Sequence, residues 1–404
     1  MQTKTKQKKW IYPRHRWARN LLAAVLGPIT RWKYGIRIER FRQQGDRPYL
    51  ILMNHQTAFD QFFVGLAFRG PVYYVASEDL FSNGWVSSVI RYLVAPIPIK
   101  KQTTDVSAVM NCIRVAREGG TIAIAPEGNR TYSGKTLYMN PAISGLARKL
   151  KLPIALFRIE GGYGVQPRWS DGTRRGKMRA YVSRVIEPEE YEDLTADALF
   201  EQIQKGLEVN EAVADGIFKS GKKAEYLERA MYVCPKCGLS EWESHKNTIC
   251  CKKCGMRVAY GEDKTLSGEG FPFRFVYDWY EYQSKFINDL DVTACTQQPL
   301  YTDNTDFYQV FVYKNKKRLL KNAKLSLYGD RIVINEGLET AKTFCFPNID
   351  AVTVLGRNKL NIYVGKQLFQ LKSGKRFNAL KYVQIYHRYK NITRGNPNAE
   401  FLGL

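Results

Sequence analysis

The 404-residue chain is too long for one ordinary domain, and with 44% hydrophobic residues it can build globular cores. Its 62 lysines and arginines against 38 acidic residues leave a formal charge of +24, which points to anionic partners: nucleic acid, an acidic membrane surface or an acidic carrier protein. No apolar run reaches the ~20 residues of a spanning helix, and there is no low-complexity tract or internal repeat.

Residues 1–38 contain no acidic residue. Lys4, Lys6, Lys8, Lys9, Arg14, Arg16, Arg19, Arg31, Lys33 and Arg37 flank the apolar stretch from Trp17 to Trp32, and Trp10, Tyr12 and Tyr34 add rings of the kind that settle at headgroup level. The expectation is a pair of helices, broken near Gly27-Pro28, lying in a membrane interface. The rival reading, a basic arm for nucleic acid, leaves the apolar face without a purpose. Leu21 to Ile29 is a poor signal peptide, because no small-x-small cleavage site follows and more basic residues do.

From 48 to about 160, short apolar runs alternate with helical stretches. Tyr49–Met53, Val72–Ala76, Ala95–Ile99, Thr121–Ala125 and Ile154–Ile159 read as strands. Thr57–Phe68, Trp85–Leu93, Thr104–Arg117 and Pro141–Leu150 read as helices, with Thr57 a candidate cap. The alternation predicts an α/β layered domain with a mostly parallel sheet. A further strand is expected over Met178–Ile186, and a long polar helical segment from Tyr191 to about Phe218.

Within this stretch, the run Tyr49–Met53 ends in Asn54-His55, and Asp60 follows in the first turns of the next helix. That spacing lets the carboxylate fold back onto the imidazole, fixing one nitrogen as the donor and leaving the other to take a proton. The plainer alternative is a core histidine satisfied by a neighbouring acid.

Cys234-Pro-Lys-Cys237-Gly and Cys251-Lys-Lys-Cys254-Gly follow, with thirteen residues between the pairs. Four thiolates in two such knuckles suit one structural zinc ion in a reducing compartment, and the glycines tolerate the tight turns. Iron in the same cage and redox dithiols are the alternatives. Cys250 is a possible competing ligand, whereas Cys112, Cys295 and Cys345 are scattered.

An aromatic stretch, Phe271–Phe286, has helical potential in its second half. From Phe307 the texture is β, with runs at Phe307–Tyr313, Ala323–Tyr328, Arg331–Ile334, Thr343–Phe346, Ala351–Leu355, Lys359–Val364 and Lys366–Leu371, then a helical segment at Arg376–Arg388. Tyr328-Gly-Asp and Val364-Gly-Lys are hairpin-like turns. Seven short strands and one helix resemble, in element order alone, a pleckstrin-homology or GRAM-like barrel.

A second motif, Ala125-Pro-Glu-Gly-Asn-Arg, directly follows the strand Thr121–Ala125. A loop at a strand's carboxyl end holding Glu127, Gly128 and Arg130 suits an anionic group near the backbone, and Arg130 offers a fork of donors matched to phosphate. Read alone, it could equally be a salt-bridged turn. The order Asn-His-x4-Asp, then Pro-Glu-Gly-x-Arg after a strand, resembles the glycerolipid acyltransferase superfamily over roughly residues 35–215. Ala95-Pro-Ile-Pro-Ile-Lys-Lys stands where that family has an apolar strand ending in arginine, which places Lys101, with Lys100 as the alternative, at that position. Leu152-Pro153-Ile154 matches the family's Val-Pro-Ile block, which shapes the pocket wall.

The resemblance implies His55 as general base, Asp60 as its orienting carboxylate, and Glu127, Gly128 and Arg130 with Lys101 as acceptor-binding residues. It implies transfer of an acyl group from acyl-CoA or an acyl carrier protein to a lysophospholipid, with 1-acylglycerol-3-phosphate the leading acceptor and phosphatidic acid the product. No Gly-x-Ser-x-Gly nucleophile motif is present, so direct transfer is the simpler chemistry. Lysine for arginine in the second block and Asn129 for the usual threonine leave the acceptor's identity open.

The expected organisation is membrane-anchoring helices over 1–38, an acyltransferase domain over 39–220, a zinc ribbon over 228–262 and a β-rich domain over 270–395. The expected place is the cytoplasmic face of the cell membrane, peripheral, on an anionic surface and with no nucleic acid. The alternative is a zinc-ribbon nucleic-acid or lipid-binding protein with an inactive acyltransferase core.

Overall fold

The computed structural model describes residues 9–99, 105–312 and 314–403. The chain forms two compact units that interleave in sequence: unit 1 comprises residues up to Asn129, Met139–Glu160 and Met178–Val209, and unit 2 the segments Arg130–Tyr138, Gly161–Lys177 and Asn210 onward.

Unit 1 begins with α1 (Pro13–Tyr34) and then builds a seven-stranded sheet. Its strands are β1 (Ile36–Ile38), β2 (Leu50–Met53), β3 (Val72–Ser77), β4 (Ile97–Ile99), β5 (Thr121–Ile124), β6 (Ile154–Glu160) and β7 (Met178–Ile186). Their spatial order is β1-β7-β6-β2-β5-β3-β4, and every neighbouring pair is parallel except β6 with β7. Helices α2 (Asp60–Ala67), α3 (Trp85–Leu93), α4 (Val106–Arg117), α5 (Ala142–Leu150) and α6 (Ala196–Leu207) complete the α/β layers. β2 sits at the middle of the sheet and is buried along its whole length, as an uninterrupted Leu-Ile-Leu-Met run requires.

α1 differs from the expected pair of helices. It runs unbroken through Pro28, which removes one backbone donor only. Packing of the last turn outweighs that loss: Tyr34 is buried and its ring lies 5.4 Å from Phe59 and 5.6 Å from Phe63. The helix is also inverted in its packing. It buries Ala18, Gly27 and Thr30, while Trp17, Leu21, Val25, Ile29 and Trp32 face outward, Trp32 at 87% exposure. At Gly27 the helix runs close to α2: an added Cβ would lie 3.2 Å from the Leu66 side chain, which would have to yield by a few tenths of an ångström.

The expected helix from Tyr191 to Phe218 is a second departure. Only a turn at Pro188–Tyr191 and α6 are helical; beyond Val209 the backbone enters unit 2, where Asn210 bridges to Lys135 and Glu211 N–H donates to the Gly134 carbonyl. One i→i−4 bond persists there, from Ala214 N–H to the Asn210 carbonyl, but Glu211 and Phe218 donate instead to Gly134 and Glu262, partners distant in sequence.

Unit 2 opens its main body with β8 (Val233–Cys234) and β9 (Gly238–Leu239), then the antiparallel sheet β10 (Trp242–His245), β11 (Thr248–Cys251), β12 (Arg257–Tyr260) and β13 (Leu266–Ser267). α7 (Val276–Asp289) packs on this ribbon. Trp279 lies 4.7 Å from Trp242 and donates Nε1–H to the Val233 carbonyl, and Gln283 receives the amide of Tyr232.

A second seven-stranded sheet follows, formed by β14 (Tyr301–Val310), β15 (Lys316–Leu327), β16 (Arg331–Ile334), β17 (Lys342–Cys345), β18 (Ala351–Leu355), β19 (Lys359–Val364) and β20 (Gln367–Lys372). It is antiparallel throughout, in the order β17-β16-β15-β14-β20-β19-β18, and α8 (Leu380–Thr393) covers it. Ribbon, α7, sheet and α8 share one apolar core, to which Tyr132 and Trp169 also belong. No described helix is long and apolar enough to cross a membrane.

Candidate active site and metal centre

β2 and β5 lie side by side and parallel, so the chain leaves their carboxyl ends together. His55 follows the end of β2, and Glu127 follows the end of β5. Asn54 secures the first exit: its side chain donates to the Ile159 carbonyl and accepts from the Ile159 amide, both at 2.8 Å. That clamp extends the pairing of β2 with β6 beyond the last strand residue and fixes where the imidazole starts.

His55 Nδ1 lies 2.8 Å from Asp60 Oδ2. Asp60 is fully buried and accepts from the amides of Gln56 (2.7 Å) and Thr57 (2.9 Å) and from the Thr57 hydroxyl (2.6 Å). Thr57 is therefore a donor to Asp60 and not the cap of α2, whose N-terminal boundary is Phe59. A carboxylate already taking this many donors accepts from the imidazole as well, so Nδ1 carries the proton and Nε2 the lone pair. The His55 side chain is 25% exposed, enough for a substrate to reach it.

The backbone N–H of His55 donates to Glu127 Oε1 at 2.8 Å. Glu127 is buried, and the turn that carries it closes through Gly128 N–H to the Ala125 carbonyl at 2.9 Å. Gly128 adopts φ +66°, a left-handed conformation that disfavours any residue with a side chain. The structure thus joins His55, Asp60 and Glu127 in one hydrogen-bonded cluster with Gly128 in its turn. Arg130 lies across the boundary in unit 2, where it is buried and its carbonyl is held by Arg168. Lys101 and Lys100 fall outside the described residues.

Residues 36–159, which span β1 to β6, match the Acyltransferase family model. The match is confined to the segment that carries His55, Asp60 and Glu127, and it covers under a third of the chain. It is 21% identical over 174 residues to a 1-acyl-sn-glycerol-3-phosphate acyltransferase of Bacillus subtilis, covering 43% of this chain and 84% of that relative. A chloroplastic 1-acyl-sn-glycerol-3-phosphate acyltransferase of Brassica napus is 21% identical over 145 residues, covering 35% of this chain and 41% of its own length. Among solved structures, the 1-acyl-sn-glycerophosphate acyltransferase of Thermotoga maritima aligns at TM-score 0.41 and 20% identity, over 47% of this chain and 77% of that one.

One block of the acyltransferase pattern lies elsewhere than expected. Leu152-Pro153 precedes β6 and sits at the amino end of the parallel strands, where the Pro153 carbonyl accepts from Leu50 N–H. His55 lies at the other end, about five residues or roughly 16 Å along a strand. These residues close the bottom of the sheet and are no wall of the His55 site. Asn54, by contrast, is part of the site's support. An amide ending a fully buried run must find partners, and that was its signal.

In unit 2, Cys234, Cys237, Cys251 and Cys254 bring their sulfur atoms within 4.8 Å of one another, with Cys234 and Cys254 at 3.7 Å. Tetrahedral thiolates about 2.3 Å from one zinc ion stand about 3.8 Å apart, so the donor set fits such an ion. The Ser240 hydroxyl lies 3.0 Å from Cys251 Sγ. Burial alone would raise the Cys251 thiol, but Ser240 and the backbone amides of the following turn bring it down to about 7. Cys250 is not among the four; its sulfur donates to the Gly255 carbonyl, because consecutive residues of β11 face opposite sides.

Proposed function

We propose that the protein is a membrane-associated O-acyltransferase that moves an acyl group from an acyl-CoA or acyl carrier protein thioester to the free hydroxyl of a lysophospholipid. The acceptor proposed is 1-acylglycerol-3-phosphate, the compound in the names of the relatives from Bacillus subtilis and Brassica napus. The hydrogen-bonded cluster of His55, Asp60 and Glu127 is the observation that carries the reading.

In this mechanism Nε2 of His55 takes the proton of the acceptor hydroxyl as its oxygen attacks the thioester carbonyl. Asp60 holds Nδ1–H and stabilises the imidazolium that forms. When the tetrahedral intermediate collapses, the carbon–sulfur bond breaks and the imidazolium returns its proton to the thiolate. Glu127 fixes the backbone at His55, and Gly128 shapes the turn that leads to Arg130. Arg130, with Lys101, meets the acceptor phosphate. A zinc ion held by Cys234, Cys237, Cys251 and Cys254 with no open position would be structural.

The outward face of α1 supports attachment to a bilayer, since large apolar side chains on a helix free of acidic residues fit an anionic interface. α3 adds Trp85, Val86, Val89 and Tyr92, all exposed, and Arg14 of α1 packs on the Tyr92 ring at 4.2 Å. The deciding assay offers labelled acyl thioesters to the purified protein with a panel of lysolipids and separates the products by thin-layer chromatography. The expected product is phosphatidic acid. No acylated product from any lysolipid, together with tight binding to oligonucleotides, would overturn the reading.

A further inference from the structure

Beyond the catalytic cluster, the loop that begins with Pro126-Glu127-Gly128 passes at Arg130 into unit 2. There its main chain is held by a residue that none of the acyltransferase motifs contains. Arg168 is 2% exposed, and its Nη1 donates to the Arg130 carbonyl at 2.8 Å. Nε donates to the carbonyl of Gly356 at 3.1 Å and Nη2 to that of Val354 at 3.4 Å. Val354 lies in β18 and Gly356 in the turn to β19, so one guanidinium ties the Arg130 backbone to the C-terminal sheet.

Two further contacts close the same clasp. The Arg168 guanidinium lies 4.3 Å from the Tyr132 ring centre, and the Tyr132 hydroxyl donates to the Arg357 carbonyl at 3.4 Å. The segment that carries Arg168 is fixed in turn: Asp171 pairs with Arg229 at 2.6 Å and with Arg357 at 3.2 Å, and Arg229 donates to the Trp169 carbonyl at 2.8 Å.

These partners of Arg168 are carbonyl oxygens and a phenol ring, none with a full negative charge. Burying a guanidinium among neutral groups is costly, and an apolar side chain of similar size would fill the core with less penalty. An apolar side chain would not supply three directed bonds that hold separate chain segments in register.

We infer that Arg168 is a positioning residue for acceptor recognition: it locks the backbone at Arg130 to the β18–β19 turn, so the C-terminal sheet sets the direction of the Arg130 side chain. The inference rests on the reading in which Arg130 meets the acceptor phosphate. It gives the C-terminal sheet a part in placing Arg130, although that sheet lies outside the residues matching the family model.

The test is a mutant cycle on the full chain with detergent-dispersed 1-acylglycerol-3-phosphate. Arg168→Lys keeps the charge but cannot reach three carbonyls from one ammonium. It should raise the acceptor KM about tenfold while kcat and the donor KM stay within about twofold. In an Arg130→Ala background it should add nothing further. Tyr132→Phe keeps the ring beneath Arg168 and removes only the bond to Arg357, so it should fold normally and raise the acceptor KM about two- to threefold. If Arg168→Lys does not fold, Tyr132→Phe in the same cycle decides.

Equal effects in the presence and absence of Arg130, donor and acceptor KM rising together, or no change would overturn the inference. If Arg130→Ala leaves the acceptor KM unchanged, the phosphate reading fails and takes the inference with it. If Arg130→Ala raises the KM and neither positioning variant does, the phosphate reading stands and the inference alone falls.

Discussion

The backbone amide of His55 and the carboxylate of Glu127, 72 positions apart in the chain, meet in a hydrogen bond of 2.8 Å. The two sequence motifs are therefore one structural object, with the end of β2 tied to the loop after β5. Glu127→Gln keeps the shape but weakens a charge-assisted bond to a neutral one. It should lower kcat about tenfold through loosened placement of His55, with the melting temperature little changed. Steady-state kinetics beside a thermal melt check this; a normal kcat would leave Glu127 only a structural part.

His55→Ala should lower acyl transfer by about two to four orders of magnitude, the usual worth of a positioned general base. Asp60→Asn should act nearly as strongly. Its amide can offer N–H to Nδ1, which pushes the proton onto Nε2 and removes the base. Both proteins should still bind vesicles. Near-normal turnover by a folded His55→Ala protein would sink the mechanism.

The core strands of unit 1 were legible because each is a short apolar run bounded by polar residues, and Met178–Ile186 and Trp85–Leu93 were read to the residue. The four cysteines were legible for a different reason, since their spacing encodes a cage without reference to the rest of the fold. What sequence order hid is the interleaving of the units. Residues 130–138 and 161–177 lie inside the acyltransferase stretch, yet their partners are Arg357, Gly356 and Arg229, far downstream. Local periodicity carries no record of such long-range contacts. The unbroken α1 and the short α6 depart from local pattern for the same reason, because tertiary packing overrode Pro28 in one and claimed residues 210–218 in the other.

Removal of the metal has a prediction that follows from this interleaving. One zinc per chain should bind the four cysteines, and Cys251→Ser should lose it while Cys112→Ser and Cys250→Ser keep it. Cys234 and Cys251 belong to the same apolar core as Tyr132 and Trp169, so chelation should loosen unit 2 well beyond the ribbon. Hydrogen exchange over residues 130–138 and 161–177 should rise on chelation. Zinc analysis that finds no metal, or protection unchanged after chelation, would refute the assignment.

Acid sensitivity should centre on His387 in α8. Burial, with the nearby charges of Lys390 and Arg394, holds its pKa down at about 3. The imidazole is thus neutral in the folded protein but protonates near 6.5 when unfolded. Stability from this group is complete above about pH 6.5 and declines as pH falls from there toward about 3, by at most about 1.4 kcal/mol per pH unit. Replacing His387 by Gln should flatten the fall in stability between pH 7 and 5 in a denaturant titration. An identical pH slope in both proteins would show that other groups control the acid limb.

Membrane attachment is best tested by substitution, because α1 is also part of the fold. Arg19 donates to the Gly65 carbonyl at 2.9 Å, Tyr34 packs on Phe63, and the Trp10 amide is held by Glu118. Deleting residues 1–33 would uncover α2 and confuse lost binding with lost stability. Trp17, Val25 and Trp32 point outward at 62%, 54% and 87% exposure, so serine at all three should leave the core intact. Each buried aromatic or aliphatic side chain contributes about 1.5–3 kcal/mol when removed from water, and the bilayer interface recovers part of that. The triple variant should therefore lose vesicle binding even at high salt, where basic residues contribute less. It should keep activity on substrate dispersed in detergent and lose most of it on bilayer substrate. A triple variant that still sediments with anionic vesicles would move the anchor to Trp85 and Val89 on α3, and Trp85→Ser with Val89→Ser in the same background would then have to release it.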